Sequence, residues 1–434
     1  MKKHVALFVV VALAACSPHS DRPVAPVAGG LKTTPKGYSD TRQGGWISTV
    51  HDASKHENEK AMGGGGREMK SARGVAPSAP MADAADPGRG GEQKGMRASE
   101  VDDNATFDQY LKYHIAHSSA VPESYRLDVS ERYLIEVVDA KSRPLPNAQV
   151  YISGNDKALF EGRTDSRGLV GFYPRTIAAS KDVTTFQVTA THGSATKLFE
   201  LARTSGGKDA PIRLQLATAK AAGPTTLDLC FLIDTTGSMG DEIARIQATL
   251  LTITERIRKL ESKPVIRLGM VVYKDHGDEY VTQRFDFTTD ADAFDKALKG
   301  VSAGGGGDEP EQLNMGLYSA VEQMTWSADA LRLCFLVADA APHMDYADDI
   351  PYVATLRSAV AKGIKIFPTA ASGLSAQGSY VLRQIAQFTL GHFLFIEYGK
   401  SAPGHGVEEG TYATNNLDDI VLRIVRAELA AYAS

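Results

Sequence analysis

The chain has 434 residues, a formal net charge of −5 and a hydrophobic content of 43%, ordinary values for a soluble protein with room for two or three domains. No stretch of Lys and Arg residues alternates with aromatic residues, so nothing in the sequence indicates a nucleic-acid partner. Three cysteines are too few for a small scaffold held together by disulfides.

Residues 1–16 have the pattern of a secretory signal. A pair of lysines precedes an apolar stretch over residues 5–14, which is too short to span a membrane. The stretch ends in Leu-Ala-Ala-Cys at residues 13–16, which resembles a bacterial lipobox. The resemblance implies that Cys16 is lipidated and becomes the mature N-terminus. By the sorting rule of enteric lipoproteins, the following Ser17 implies the outer membrane. An ordinary secretory signal and a buried hydrophobic strand are the alternatives.

Residues 17–104 are rich in Gly, Pro, Ala, Ser and charged residues and have no apolar periodicity. Such a segment cannot bury enough apolar surface to offset the cost of ordering its backbone. We therefore predict a disordered, flexible tether behind the lipid anchor. A short apolar patch at residues 45–50 is an exception within it, either a docking peptide or a chance cluster.

Residues 105–220 begin with a predicted short helix and then change to a period of two, with turn signals between the apolar runs. Strands are predicted over residues 133–138, 148–152, 168–173, 186–190 and 211–216. Short strands at this spacing are typical of an all-β sandwich. The segments VVDAKSRPLPNAQVYI and TDSRGLVGFYP resemble the carboxypeptidase-regulatory-like, prealbumin-type sandwich, which implies a spacer domain.

Residues 225–434 alternate strands with helices. Strands are predicted over residues 227–233, 265–273, 280–287, 331–337, 364–369 and 392–396, and helices over 243–260, 291–301, 351–362, 377–389 and 417–432, with one more ending near 324. This order predicts an α/β, doubly wound sheet that is mainly parallel, with one antiparallel edge strand.

The sharpest motif follows the first of these strands. The apolar run over residues 227–233 ends at Asp234, and Thr236 and Ser238 follow at alternate positions in a polar turn. Open α/β sheets bind ligands at this end of their strands, and hard divalent cations prefer such oxygen ligands. The motif resembles the metal-ion-dependent adhesion site of the von Willebrand factor A domain. The resemblance implies that the two hydroxyls contact a divalent cation directly, Mg²⁺ first, with Mn²⁺ or Ca²⁺ as alternatives.

The resemblance also implies two further loops. Asp339, after the fourth predicted strand, matches the family's aspartate, but the family's usual threonine is missing from the glycine-rich residues 304–311. Asp308 or Glu309 would have to replace it. The expected metal ligands are therefore Asp234, Thr236, Ser238, Asp308 and Asp339. A third carboxylate would make the cation less attractive to a carboxylate from a partner and would help Ca²⁺ compete with Mg²⁺.

Asp275, His276 and Asp278 follow the second strand of this region and should lie on the same rim, where Asp275, His276 and Glu309 are candidates for the rim or second shell of the site. Solvated loop residues are the alternative. Cys230 and Cys334 lie on neighbouring predicted strands, and parallel neighbours rarely have disulfide geometry. We predict two buried free thiols.

The sequence predicts a lipid-anchored bacterial envelope protein that binds a protein or other macromolecular partner through a divalent cation, without catalysis. One alternative is a structural spacer whose A domain holds no metal. Another arises because Asp234 to Ser238 resembles the phosphorylation motif of haloacid-dehalogenase-like phosphotransferases, in which the aspartate is the nucleophile. The absence of following membrane spans and the lipobox oppose that alternative.

Overall fold

The computed structural model describes residues 47–48, 96–204, 207–220, 226–261, 263–307, 309–397 and 413–433. The predicted signal with Cys16, most of the predicted tether, and Asp308 therefore lie outside the described residues. Among the helices that are described, none is long and apolar enough to cross a membrane.

Strands and helices alternate over the C-terminal half, and strands dominate before it. The strands are β1 (Ile47–Ser48), β2 (Arg97–Val101), β3 (Arg132–Val138), β4 (Gln149–Gly154), β5 (Lys157–Arg163), β6 (Leu169–Phe172), β7 (Thr185–His192), β8 (Ala195–Ala202), β9 (Gly207–Gln215), β10 (Thr226–Asp234), β11 (Val265–Tyr273), β12 (Thr282–Thr288), β13 (Leu331–Ala338), β14 (Ile364–Ala370), β15 (Phe393–Ile396) and β16 (Ala413–Asn416). The helices are α1 (Phe107–Ala116), α2 (Ile243–Arg258), α3 (Ala291–Gly300), α4 (Leu313–Tyr318), α5 (Tyr352–Lys362), α6 (Ala376–Phe388) and α7 (Leu417–Ala433).

The largest sheet has nine strands in the order β1-β12-β11-β10-β13-β14-β15-β2-β16. Strands β10, β11, β13, β14 and β15 run parallel, and β12 pairs antiparallel to β11 as predicted. Two separate apolar clusters cover its two faces, one with residues of α2, α3 and α7 and one with residues of α4, α5 and α6. The predicted α/β fold is confirmed as a mixed α/β sheet.

The two central strands are buried on both faces, which explains their continuous apolar sequences. Every residue of β13 is buried, and so is every residue of β10 after Thr226. Cys230 and Cys334 lie opposite each other on these neighbouring strands. Both are buried free thiols, as predicted.

The predicted C-terminal boundary of the tether, residue 104, is wrong, because Arg97–Val101 forms β2 within the sheet. This strand pairs antiparallel with β15 on one side and β16 on the other. Ala98 is fully buried in the core, and Leu417 N donates to Met96 O at 2.7 Å. The prediction failed because only two of the five residues are apolar, so no alternating pattern was visible. Further back in the tether, Ile47 and Ser48 pair with β12.

A small β unit, defined as β3 to β9, contains a three-stranded sheet β6-β3-β9 and a four-stranded sheet β5-β4-β7-β8. Aromatic rings join the two sheets: Phe172 meets Phe186 edge to face at a centroid distance of 5.0 Å, and Tyr133 contacts both rings. Strands β5 and β8 were not predicted. Most of β8 is exposed, so it lacks the apolar alternation that indicates a strand.

The small β unit shares its core with one face of the large sheet instead of folding around a separate core. One continuous apolar cluster contains Val150 and Phe172 from the unit together with Leu336 and Tyr352 from the α/β region. A spacer joined by a flexible link would have its own core. The two regions predicted as separate domains therefore pack as one folded body.

A buried charge network fastens the small β unit to the amino ends of the parallel strands. Lys365, the second residue of β14, donates to Asp165 Oδ2 at 2.6 Å and to Glu428 Oε1 of α7 at 2.8 Å. Ser166 Oγ donates to the other oxygen of Glu428. The network thus lies at the opposite edge of the sheet from the carboxyl ends of the strands, where α/β folds bind ligands.

Candidate metal centre

Two aspartates stand where neighbouring parallel strands end. Asp234 is the last residue of β10, and Asp339 follows β13 directly. Because β10 and β13 pair in parallel register, their carboxyl ends lie side by side. The structure therefore brings both carboxylates to one edge of the sheet, and both are buried.

The turn after β10 curls so that its polar side chains converge. Asp234 Oδ1 accepts hydrogen bonds from Thr236 N at 2.9 Å and from Thr236 Oγ1 at 2.7 Å. Thr236 Oγ1 in turn lies 3.2 Å from Ser238 Oγ. Thr236 is fully buried, whereas Ser238 faces solvent. One carboxylate oxygen and two hydroxyls thus line the turn.

The glycine loop before α4 packs against this turn. Gly304 N donates to Thr235 O at 3.0 Å, and Gly237 N donates to Gly305 O at 2.9 Å. A Cβ at Gly306, whose φ is +60°, would lie 3.0 Å from Thr236 Cβ and 2.5 Å from Glu311 Oε1. The glycines therefore permit a close approach of backbone to side chains. The glycine loop is therefore held in place by hydrogen bonds to the turn after β10.

Glu311 is a functional candidate that the sequence analysis missed. Its backbone ties the glycine loop to the loop after β13, since Glu311 N donates to Ala341 O and His343 N donates to Glu311 O, both at 3.0 Å. Its side chain is only 3% exposed. The available signal was its position immediately before the apolar start of α4, where a charged side chain is buried with the helix.

Several buried carboxylate oxygens at this edge have no hydrogen-bond partner among the described residues. They are Asp234 Oδ2, Asp339 Oδ1, Glu311 Oε2 and Glu242 Oε2. Burying an unpaired charge is costly, so these oxygens fit a bound cation. Within the described part of the chain, no group of three or more His, Cys, Asp and Glu side chains is arranged to hold a metal ion. A site here would therefore depend on the hydroxyls as well as the carboxylates.

Burial and mutual repulsion make these acids hold their protons. Burial and the nearby Asp339 raise the pKa of Asp234 to about 7. Burial raises the pKa of Asp339 to about 6, with Glu242 adding to the rise and Ser238 opposing it. Burial and Asp234 raise the pKa of Glu311 to about 8. A divalent cation would reverse these shifts by favouring the charged carboxylates.

The raised pKa values predict that the protein without metal loses stability as the pH rises. Between about pH 5 and pH 8 the native state keeps protons that the unfolded chain has released, so the free energy of unfolding falls with pH. A single such group contributes up to ~1.4 kcal/mol per pH unit. Urea unfolding with a chelator present measures this slope. The Asp234→Asn variant should show a shallower slope, and an equal slope in both proteins would contradict the assignment.

The predicted rim residues lie close to the site with different exposures. Asp275 is buried, and its Oδ1 lies 3.5 Å from His343 Nε2. His276 is exposed and meets the ring of Tyr346 edge to face, and Glu309 is also exposed. Asp278, predicted on the same rim, accepts hydrogen bonds from Gly306 N at 2.8 Å and Asp275 N at 3.0 Å. Asp278 therefore joins the rim to the glycine loop.

Of the predicted metal ligands, the structure brings together Asp234, Thr236, Ser238 and Asp339. Asp308 lies outside the described residues, as does the predicted lipid-attachment residue Cys16. The first and third loops are thus present with the arrangement that their strands predict. Glu311 adds a carboxylate from the second loop.

The family of von Willebrand factor A domains matches residues 228–360. Alpha-protein kinase vwkA of Dictyostelium discoideum is 27% identical over 160 residues, which are 36% of this chain and 25% of the kinase. Von Willebrand factor A domain-containing protein 7 of Mus musculus is 39% identical over 117 residues, 26% of this chain and 12% of that protein. The human protein of that name is 38% identical over the same length, with the same coverage.

Solved structures show similarity at low identity. BatB from Bacteroides thetaiotaomicron is 13% identical with a TM-score of 0.33, covering 48% of this chain and 98% of that one. Proximal thread matrix protein 1 from the mussel byssus is 14% identical with a TM-score of 0.32, covering 48% of this chain and 47% of that one.

The chain therefore contains a von Willebrand factor A domain. Such domains commonly mediate protein–protein interactions and are typically not catalytic. One relative is nevertheless named as a kinase. The chain matches about a quarter of that kinase and about an eighth of the protein 7 relatives.

Proposed function

We propose that the A domain binds a protein partner through a divalent cation held by Asp234, Thr236, Ser238, Asp308 and Asp339. The supporting observation is the set of buried carboxylate oxygens at the carboxyl edge of the sheet that have no partner among the residues the structure describes. Mg²⁺ is the first candidate, and Mn²⁺ and Ca²⁺ are the others. When bound, the cation supplies a coordination position that an oxygen of the partner, such as a carboxylate, can fill.

The protein residues in this proposal have distinct parts. The hydroxyls of Thr236 and Ser238 are neutral ligands, and Asp234 accepts from Thr236, which orients that hydroxyl. Asp339 supplies charge from the neighbouring strand. Because Ser238 is exposed, a cation held by these residues would be accessible to a partner. This arrangement supports binding to a partner, and no catalytic step is proposed.

The specific test is capture of envelope proteins on the immobilised domain, with Mg²⁺ present or removed by a chelator. We expect Asp234→Ala to lose capture and to match the chelated wild type. Glu279→Ala is the matched control, because Glu279 is an exposed acid on the same side, 81% accessible, and should leave capture unchanged. Capture by Asp234→Ala at the wild-type level would contradict metal-dependent binding.

The alternative structural function is favoured by one observation, the lack of a metal-binding group of acids, His and Cys among the described residues. In that alternative the A domain holds no cation, and capture is insensitive to chelator. A phosphotransferase would instead require a reactive Asp234, but that side chain is fully buried. Covalent phosphorylation of Asp234, detected by mass spectrometry, would favour it.

We also propose that the protein is lipid-anchored in a bacterial envelope through Cys16, most simply at the outer membrane. The support is the sequence Leu-Ala-Ala-Cys at residues 13–16, followed by Ser17. Cys16→Ser should abolish labelling with a radioactive fatty acid and release the protein from the membrane fraction. A variant that stays in the membrane fraction would show that another segment anchors the chain.

A further inference from the structure

We infer that the protein binds a small apolar amino acid, about the size of valine, in a cavity between the small β unit and helices α5 and α6. The cavity has a volume of about 90 Å³. Val360 and Phe388 line it from the C-terminal ends of α5 and α6, which lead into β14 and β15, so it lies toward the amino ends of these strands. Binding here is therefore separate from the candidate metal centre and does not depend on the proposed metal-dependent function.

Apolar side chains from both parts of the protein form the walls of the cavity. Tyr173 of the small β unit stacks on Phe388 of α6 at a centroid distance of 5.1 Å, and both residues are buried, as is Val360. Phe160 and Ile177 from the small β unit also line the cavity but are only half-buried. A ligand in the cavity would therefore cover apolar surface that the fold leaves accessible to water, which favours binding.

The size and polarity of the cavity limit the apolar part of the ligand. An apolar cavity of about 150 Å³ accepts benzene, so the smaller volume of about 90 Å³ suits a short branched alkyl group and not an aromatic ring. The uncharged polar side chains in the walls already have partners within the protein. Tyr173 Oη accepts from Gln387 Nε2 at 3.0 Å, and Thr176 Oγ1 donates to Tyr173 O at 2.8 Å. An alkyl group would therefore leave neither hydroxyl unpaired.

Two charged residues of opposite sign line the cavity, Arg357 of α5 and Glu161 of β5, and both are exposed. Arg357 Nη2 donates to Thr176 O at 3.0 Å, which holds the guanidinium group beside the cavity. Glu161 Oε1 accepts from Gln149 Nε2 at 2.9 Å, so its other oxygen is available to a ligand. Within the described part of the chain, neither charged side chain forms an ion pair.

Opposite charges that do not neutralise each other fit a ligand that carries both charges. Partial burial lowers the pKa of Arg357, and no acid among the described residues raises it. A guanidinium group can donate two hydrogen bonds to a carboxylate, and an ammonium group can donate to the Glu161 carboxylate. A free α-amino acid carries a carboxylate, an ammonium group and a side chain on one carbon. A terminal residue of a peptide carries only one of the two charges, so the free amino acid fits better.

Calorimetric titration of L-valine into the chain lacking residues 1–16 tests the inference. A chelator is present, so that no cation at the candidate metal centre can hold the carboxylate. We expect one saturable site. Glycine lacks the alkyl group, isobutylamine lacks the carboxylate and isovalerate lacks the ammonium group, and each should bind at least about 10-fold more weakly than valine. No binding of valine, or binding of glycine as tight as that of valine, would overturn the inference.

Two variants test the part of each charge. Arg357→Gln should weaken binding of valine and isovalerate by about 10-fold but should not weaken binding of isobutylamine. Glu161→Gln should weaken valine and isobutylamine by a similar factor and should not weaken isovalerate. Arg175→Gln is the matched control and should bind valine like the wild type, because Arg175 is next to Thr176 but is already paired with Glu131. If the two charge variants bound all three ligands like the wild type, or weakened all three equally, recognition by these charges would be wrong.

Discussion

Replacing Lys365 with methionine is expected to lower the free energy of unfolding by about 3–5 kcal/mol, the cost typical of breaking a buried ion pair by removing one partner. Lys365 is buried and is shared by the Asp165 and Glu428 carboxylates. Burial raises the pKa of Asp165, but Lys365 and Arg167 more than offset this and lower it to about 2. Without the ammonium group, Asp165 would keep only Arg167 as a charged partner and Glu428 would keep only the Ser166 hydroxyl.

Lys362→Met is the matched control for this experiment. Lys362 pairs with Glu322 near the surface, where both side chains are partly exposed. Such a pair contributes about 0–1 kcal/mol. Urea unfolding of wild type and both variants gives the comparison. The free energy of unfolding could fall equally in the two variants, or fall by less than about 1 kcal/mol in Lys365→Met. Either result would show that the network does not fasten the small β unit to the sheet.

Beginning the chain at residue 102 instead of 92 is expected to lower the free energy of unfolding by about 4 kcal/mol. The deletion removes β2, and with it the buried side chains of Met96, Ala98 and Val101. Burial of apolar side chains contributes up to about 1.5–3 kcal/mol each for the larger ones. The deletion also separates β15 from β16, since β2 pairs with both strands.

The chain beginning at residue 92 is the control for this truncation, because it lacks most of the predicted tether but keeps β2. It should unfold much like the chain beginning at residue 17, since the only described strand it loses is the two-residue β1. A chain beginning at residue 102 with unchanged stability would mean that β2 contributes nothing and that the tether continues to residue 104. Unfolding followed by circular dichroism measures all three proteins.

The α/β half of the fold was predictable because its strands are buried on both faces. The apolar runs of β10, β11 and β13 are unmistakable, and Val265–Tyr273 was predicted to the residue. Strands β2, β5 and β8 were missed for the opposite reason. They lie near edges or on exposed surfaces, or are held by pairing with distant segments, so their sequences carry no clear period.

The residues of the candidate centre were predictable only where they lie close together in one loop or directly follow a clear strand. Asp234, Thr236 and Ser238 are neighbours in sequence, and Asp339 follows a strand of obvious position. Glu311 depends on the packing of a glycine loop against two others, which the sequence does not reveal. The buried contacts of Lys365 were equally unpredictable from the sequence, because a lysine at the start of a strand usually faces solvent.

The shared core also determines where the candidate site lies relative to the small β unit. The small β unit is held at the amino ends of the strands through Lys365 and through Arg332, which donates to Asn147 Oδ1 at 2.8 Å. The candidate centre lies at the carboxyl ends. A site at the edge opposite this junction is not covered by the small β unit, which suits a partner that approaches from solvent.

Calorimetric titration of Mg²⁺, Mn²⁺ and Ca²⁺ into the chain lacking residues 1–16, beside its Asp234→Ala variant, tests the central claim most directly. The account predicts one saturable site in the wild type for at least one of these ions, with affinity reduced at least about 100-fold in the variant. Both proteins should keep the same circular dichroism spectrum. Binding of no ion by the wild type, or equal binding by the variant, would contradict a metal-dependent function of this edge.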